Sequence, residues 1–297
     1  MQFLLDPYIP LAQVHVLAGS SGTGKTTILS QALTADLPWG KVLYVATDRT
    51  EDSILALWRT LDLTLPHVTT YSLVDEIASK LKKNPAALHS PEGSSALFSL
   101  QAISRLSAGF NTLILDPAAP LMPLKNFNDT GQVARAMCHL AAWAKNQSLT
   151  IILVFHTNKT KKDGDFMNPF NRISGSHALL GYASTKALLL SKDEHEDGPA
   201  LLIQGQHFPE KTFLLERTAG PTLRILSDSE VSAKGLLDGL GGIIDKLPPV
   251  AFTPLELQDL LGMSKASVHR YLDKLLQAGV IEKTEHGKYR KIVRPVS

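Results

Sequence analysis

Residues 19–26 read GSSGTGKT, which has the G-x-x-x-x-G-K-[ST] spacing. The chemistry of that pattern is phosphate binding. Gly19, Gly22 and Gly24 let the backbone turn so that N–H groups along Ser20, Ser21 and Thr23 point at phosphate oxygens. A helix beginning near Lys25 and Thr27 places its positive dipole end behind them. Lys25 then reaches the β- and γ-phosphates of a nucleotide, and the Thr26 hydroxyl holds Mg2+. Asp116 ends the run TLILD, so its carboxylate emerges at the C-terminal edge of a buried strand, where it holds the magnesium through water. The competing reading of Asp116, with Pro117 after it, is a turn cap. Asp48 follows VLYVAT and suits the carboxylate that orients or deprotonates an attacking water, with Glu51 as the reserve. Against this, Thr50 reads as a helix N-cap with Glu51 and Asp52 in the first turn, and Asp48 as part of that solvated cluster.

His156 closes the apolar run TIILVFH, just before a basic loop. A metal role is disfavoured, because no cysteine lies nearby and His177 is far outside ligand spacing. A packed core histidine and a contact that reports on the phosphate site both remain open. The loop that follows carries Lys159, Lys161, Lys162 and Arg172 among Phe166 and Phe170. Cations interleaved with aromatics suit a single-stranded nucleic acid, whose phosphates need charge and whose bases need stacking surfaces. Residues 123–130 offer a second such loop through Lys125 and Phe127.

These residues need elements to hold them. Apolar, β-branched runs predict strands at 14–19, 41–47, 112–116, 150–156, 186–191, 200–205, 212–217 and 222–226. The first four are nearly continuous in hydrophobicity, as strands buried on both faces must be. Helical patterns fall at 25–35, 51–61, 72–82, 95–107 and 130–146. The alternation predicts an α/β domain with a mainly parallel sheet and helices on both faces. The later strands, joined by short turns, read as antiparallel additions to one side. Polar and small residues at 227–235 mark a boundary, giving domains 1–230 and 231–297.

The C-terminal part predicts helices at 235–247, 254–262 and 264–279, the last with Val268, Leu272, Leu275 and Leu276 on one face. VIEKTE and KYRKIV around His286 and Gly287 then read as a two-stranded wing. This resembles a winged helix-turn-helix domain across 235–294. In such domains the third helix enters the major groove, which implies DNA contacts from Lys265, Ser267, His269 and Arg270, with Lys288 and Arg290 along the wing. Residues 250–297 hold 8 Lys+Arg against 5 Asp+Glu, whereas the rest holds 22 against 23, so the positive balance of the chain sits there. These domains also serve as protein-interaction modules.

Composition bounds the class. A chain of 297 residues with 44% hydrophobic and 20% charged content has enough apolar mass for one large core and a small second one, which excludes a disordered chain. The lone Cys138 excludes an intrachain disulfide and a cysteine zinc cluster, and fits a reducing, cytoplasmic setting. The N-terminal stretch MQFLLDPYIPLAQ lacks the basic region of a signal peptide, and no apolar run is long enough for a bilayer, so no membrane role is expected.

Over residues 10–226 the order of motifs resembles the RecA-like P-loop ATPases, especially hexameric replicative helicases of the plasmid RepA and DnaB kind. The matching parts are GSSGTGKTT, the carboxylate after VLYVAT, LILDPAAPLMP, the strand ending FHTNK, and GSHAL at 175–179. The resemblance implies ATP and Mg2+, a homo-oligomeric ring, likened to a hexamer or a filament, and DNA as partner. It implies that His156 senses the γ-phosphate and that the following loop meets single-stranded DNA. It also implies an arginine that acts on the neighbouring subunit's ATP. Here Ser174 occupies the family's arginine position and IQGQHFP lacks the K-x-R pair of DnaB, which leaves Arg172 for that role. A phage or mobile-element DNA helicase is the leading expectation. A recombinase or recombination mediator, and an ATP-switched DNA-binding regulator, are the alternatives.

Overall fold

The computed structural model describes residues 8–34, 39–83, 100–122, 124–157, 169–173, 177–195, 197–206, 208–218, 220–227, 231, 246–277, 280–284 and 287–292. Lys159, Lys161, Lys162, Phe166, Ser174 and most of the helix expected at 235–247 lie outside them. The chain divides into two compact units, Met1–Ile225 and Leu226–Ser297.

The first unit begins with β1 (Val14–Gly19), α1 (Lys25–Ala32), β2 (Val42–Ala46), α2 (Glu51–Thr60), β3 (Val68–Ser72) and α3 (Leu73–Lys83). It continues with α4 (Leu100–Leu106), β4 (Thr112–Asp116), α5 (Thr130–Gln147), β5 (Thr150–His156), α6 (His177–Tyr182), β6 (Thr185–Leu190), β7 (Ala200–Gly205), β8 (Lys211–Arg217) and β9 (Leu223–Ile225). Among the described residues these strands form one sheet in the order β3-β2-β4-β5-β1-β6-β7-β8-β9. Alternate residues serve opposite faces. Val16, Leu113 and Leu115 pack with Val133, Met137 and Leu140 of α5, while Leu17, Ile114 and Ile152 pack with Ile28 and Leu29 of α1 and Trp58 of α2. Burial on both faces is the reason these strands carry no polar alternation.

The sheet is parallel from β3 through β6. The sequence expectation that all the later strands run antiparallel is therefore corrected at β6, which pairs in parallel with β1. The chain returns from β5 through α6, and a crossover of that kind delivers a parallel strand. Only β7, β8 and β9 run antiparallel to their predecessors. The topology brings the C-terminal ends of β1, β2, β4 and β5 to one edge, with Gly19 opposite His156 and Ala46 opposite Asp116.

In the second unit α7 (Pro254–Leu261) starts with a reciprocal cap: Thr253 Oγ1 accepts from the Glu256 N–H, and the Glu256 carboxylate accepts from the Thr253 N–H at 2.7 Å. Gly262, with φ of 62°, ends it in the left-handed conformation that glycine adopts without strain. Helix α8 (Lys265–Gln277) then buries Val268, Leu272 and Leu275 against Phe252, Leu257 and Ile281. Strands β10 (Ile281–Lys283) and β11 (Tyr289–Lys291) pair antiparallel as the wing.

Candidate active site

At the C-terminal edge of the sheet, the turn between β1 and α1 wraps on itself. Gly24 is the N-cap of α1 with φ of 102°, and an added Cβ would stand 2.8 Å from Leu223 Cδ1. Both the dihedral and the close approach of β9 require glycine there. Lys25 Nζ donates to the carbonyls of Gly19 and Ser20, each at 2.8 Å, and stands 3.5 Å from His156 Nδ1. Burial holds the Lys25 amine below its ordinary pKa, opposed by Asp116 and reinforced by Arg49.

Thr26 Oγ1 donates to Asp116 Oδ2 at 2.8 Å, and the buried Tyr44 hydroxyl donates to the same oxygen. The strand register explains the pairing, since Tyr44 lies on β2 beside β4. Burial first, and then the Asp116 charge, keep the Tyr44 phenol well above its usual pKa, so it acts as a fixed donor. Asp116 is 3% exposed, which fits a structured ligand holder better than a solvated turn cap.

Asp48, His156, Lys25, Thr26 and Asp116 all line one cavity of about 270 Å3. Thr50 does cap α2, accepting from the Ser53 N–H, yet this does not draw Asp48 out of the cavity. Glu51 is turned the other way: its carboxylate accepts from Thr70 on β3 and its N–H donates to Asp75 at 2.8 Å. His156 is exposed to the cleft rather than packed in the core. Desolvation, and then the Lys25 charge, hold its imidazole below the ordinary pKa and so neutral near pH 7.

Arg172 sits differently from the expectation. The sequence argues for a guanidinium offered to a neighbour, but the side chain is 12% exposed and ion-paired to Glu194 of the same chain. Glu194 also accepts from Ser20 Oγ at 2.7 Å and from Ser191 Oγ at 2.9 Å. Ser20 in turn hydrogen-bonds Thr157 at 2.9 Å, so Arg172 braces the outer wall of the glycine-rich turn. One aromatic expectation is corrected as well: Phe170 is fully buried with the Lys186 ammonium over its ring, so it presents no face for a base. Phe127 is half-buried and packs edge-on against Phe155.

The sequence reading missed two residues that line the cavity, Arg49 and Arg217. Arg49 Nε donates to Asp48 Oδ1 at 3.0 Å. Arg217, at the end of β8, reaches the Thr23 carbonyl at 3.5 Å. The signal for Arg49 was its place immediately after the carboxylate of a central strand. Nothing local marked Arg217, whose position follows from β8 and β9 lying beside the turn.

In the second unit Lys265, His269, Arg270 and Lys288 are exposed. Ser267 is engaged with Ser264, its N–H donating to Ser264 Oγ at 3.3 Å and its hydroxyl 3.0 Å from it. Arg290 is paired across the wing with Glu282 at 2.6 Å.

A mainly parallel α/β sheet with this turn, lysine, hydroxyl and strand-end carboxylate defines a P-loop ATPase fold. The chain belongs to the AAA domain family, whose model matches residues 2–162. A second family, the IclR helix-turn-helix domain, matches residues 249–285. A KaiC-like protein from the hyperthermophilic archaeon Pyrococcus horikoshii OT3 is similar in structure, with a TM-score of 0.47 and 13% identity, over 75% of this chain and 95% of that one. No curated protein matches the sequence. Among the described residues, no helix is long and apolar enough to cross a membrane and no group of three or more His, Cys, Asp or Glu side chains is placed to hold a metal ion.

Proposed function

We propose that the chain is an ATP-driven motor that acts on DNA, with a phage or mobile-element replicative helicase as the leading form. The observation that supports it most is the convergence of Lys25, Thr26, Asp48, Asp116 and His156 on one cavity, in a chain that also carries a helix-turn-helix unit.

The residues fit MgATP. The glycine-rich turn offers N–H groups, and Thr26 and Asp116 already share a hydrogen bond at the position from which they would hold Mg2+, Asp116 through water. Bound there, the ion neutralises charge that develops on the β- and γ-phosphate oxygens. Gly19 through Thr27 hold the phosphates, and Lys25 exchanges the Gly19 and Ser20 carbonyls for phosphate oxygens. Asp48 orients the attacking water and takes its proton. His156, neutral and 3.5 Å from Lys25, responds to the terminal phosphate and passes that state to the chain beyond Thr157. Lys159, Lys161 and Lys162 belong to that stretch and supply the single-strand contacts in this reading. Lys265, His269, Arg270 and Lys288 supply duplex contacts, while Ser267 and Arg290 would first leave their present partners. Assembly into a ring or filament of identical subunits completes the motor.

Two other readings use the same geometry. A recombinase or mediator would form filaments on DNA, and a regulator would use ATP to switch oligomeric state while the helix-turn-helix unit holds an operator. The test is ATP hydrolysis with and without single-stranded DNA, alongside unwinding of a forked duplex. Unwinding together with DNA-stimulated turnover is the expected result. DNA-stimulated turnover without unwinding removes the helicase, sequence-specific duplex binding favours the regulator, and full activity in Lys25→Ala removes the ATPase.

A further inference from the structure

The nucleotide cavity poses a problem of charge. Of the groups the motifs identify, Lys25 brings one positive charge while Asp48 and Asp116 bring two negative ones. Those three side chains sum to −1, which leaves the N–H groups of the turn and the Mg2+ that accompanies ATP to offset the phosphate charge. Arg49 and Arg217 line the same cavity and reverse the balance, to three positive against two negative. Both come from the chain that supplies the glycine-rich turn, and they flank it from different elements. Arg217 extends from the end of β8 to the Thr23 carbonyl, at the outer turn of the cradle. Arg49 follows Asp48 at the end of β2, and its field acts on Lys25, His156 and Tyr44, the groups around the Mg2+ and terminal-phosphate positions.

Building on the ATPase reading, we infer that Arg49 is a phosphate-binding arginine supplied in cis, which exchanges the Asp48 carboxylate for the terminal phosphate of ATP. The exchange breaks one hydrogen bond inside the cavity that Arg49 already lines. Arg49 is tied to Asp48 through one Nε–H at 3.0 Å, and the pair is only about one-third to two-fifths exposed, with Arg49 at 32% and Asp48 at 42%. A guanidinium has five donors in a rigid fork, and the terminal phosphate is a denser acceptor of matching geometry. Its departure also frees Asp48 to accept from water, so the arginine withholds the base until a triphosphate is in place. ADP, lacking the terminal group, leaves the Arg49–Asp48 pair intact. Arg172, being held by Glu194, is not needed for this charge.

The test has a binding arm and a mixing arm on the full chain. Affinities for ADP and for a non-hydrolysable ATP analogue are measured by calorimetric titration in wild type, Arg49→Ala and Arg49→Lys. Arg49→Ala is expected to weaken the analogue about tenfold or more while leaving ADP within about twofold, with Arg49→Lys between the two. Turnover of Arg49→Ala is expected to fall by about 10²-fold or more. Mixing it with Lys25→Ala is expected to give no turnover above the sum of the two. Recovery on mixing means that the arginine serves a neighbour's ATP and overturns the cis assignment. Equal weakening of ADP and analogue, or unchanged affinity for the analogue with unchanged turnover, overturns the phosphate contact. If wild type binds neither nucleotide, the ATPase reading itself fails; if wild type binds both and Arg49→Ala matches it, this inference alone fails.

Discussion

The two carboxylates that follow β2 show how three residues of separation decide between chemistry and scaffold. Asp48 lines the cavity with Lys25 and Asp116, whereas Glu51 is committed to Thr70 on the neighbouring strand. Asp48→Asn is expected to lower turnover by about 10²–10⁴-fold with nucleotide binding retained, because an amide cannot take the proton of water. Glu51→Gln is expected to turn over ATP near the wild-type rate. Steady-state kinetics with a parallel ATP titration check both, and a severe loss in Glu51→Gln would transfer the role. His15 carries a separate residue-scale effect. It is buried at the start of β1, its Nε2–H donates to the Pro10 carbonyl at 2.8 Å, and burial lowers its pKa from 6.5 to about 4. The unfolded chain therefore binds a proton at pH values where the folded chain does not. Stability is fully present above pH 6.5 and is lost as pH falls toward the folded value, by about 3 kcal/mol in total. His15→Gln keeps an amide donor and does not titrate. Urea unfolding between pH 7 and 4 is expected to show a smaller loss in that variant, and equal losses would exclude His15 as the cause.

At the scale of elements, what was legible followed burial. The strands at 112–116, 150–156 and 200–205 were readable to the residue, because burial on both faces leaves no polar position to blur the run. Strand β3, VTTYS, was missed. It is the edge of the sheet, where threonines face partly outward and no continuous apolar run forms. The site divides in the same way. The turn at 19–26 and Asp116 carry local spacing or strand-end signatures, whereas Arg217 enters the cavity only because β8 and β9 return beside α1, with the Leu223 N–H donating to Gln31 Oε1 at 3.1 Å. Phe170 failed for the opposite reason: a ring in a basic stretch reads as a stacking platform until packing claims it. Helix α8 was legible through its spacing, and Leu272 and Leu275 are 1% and 0% exposed. Leu272→Ala is expected to destabilise the second unit by about 2–5 kcal/mol through lost burial and a residual cavity. Chemical denaturation followed at Tyr289, stacked 6.3 Å from Phe252, reads this directly, and a shift below about 1 kcal/mol would mean the helix does not anchor that core.

At the scale of the whole molecule the two units carry different electrostatics, and this allows their roles to be separated without cutting the chain. The nucleotide cavity gathers charge inward around Lys25, while the helix-turn-helix unit displays Lys265, Arg270 and Lys288 on its surface. Surface cations that meet phosphates release counterions, so the affinity for duplex falls with salt at a slope of about 0.9 per contact. The triple variant Lys265→Ala, Arg270→Ala and Lys288→Ala is thus expected to flatten that slope by up to about three contacts' worth, while its ATP turnover without DNA stays at the wild-type level. Lys25→Ala is expected to do the reverse, abolishing turnover while duplex binding without nucleotide keeps the wild-type slope. Filter binding across a salt series, with hydrolysis measured on the same preparations, distinguishes the outcomes. A triple variant with an unchanged slope would make the second unit a protein-interaction module, leaving DNA contact to the ATPase unit. Duplex binding that ATP changes in wild type but not in Lys25→Ala would instead mean that nucleotide state governs DNA contact, as an ATP-switched regulator requires.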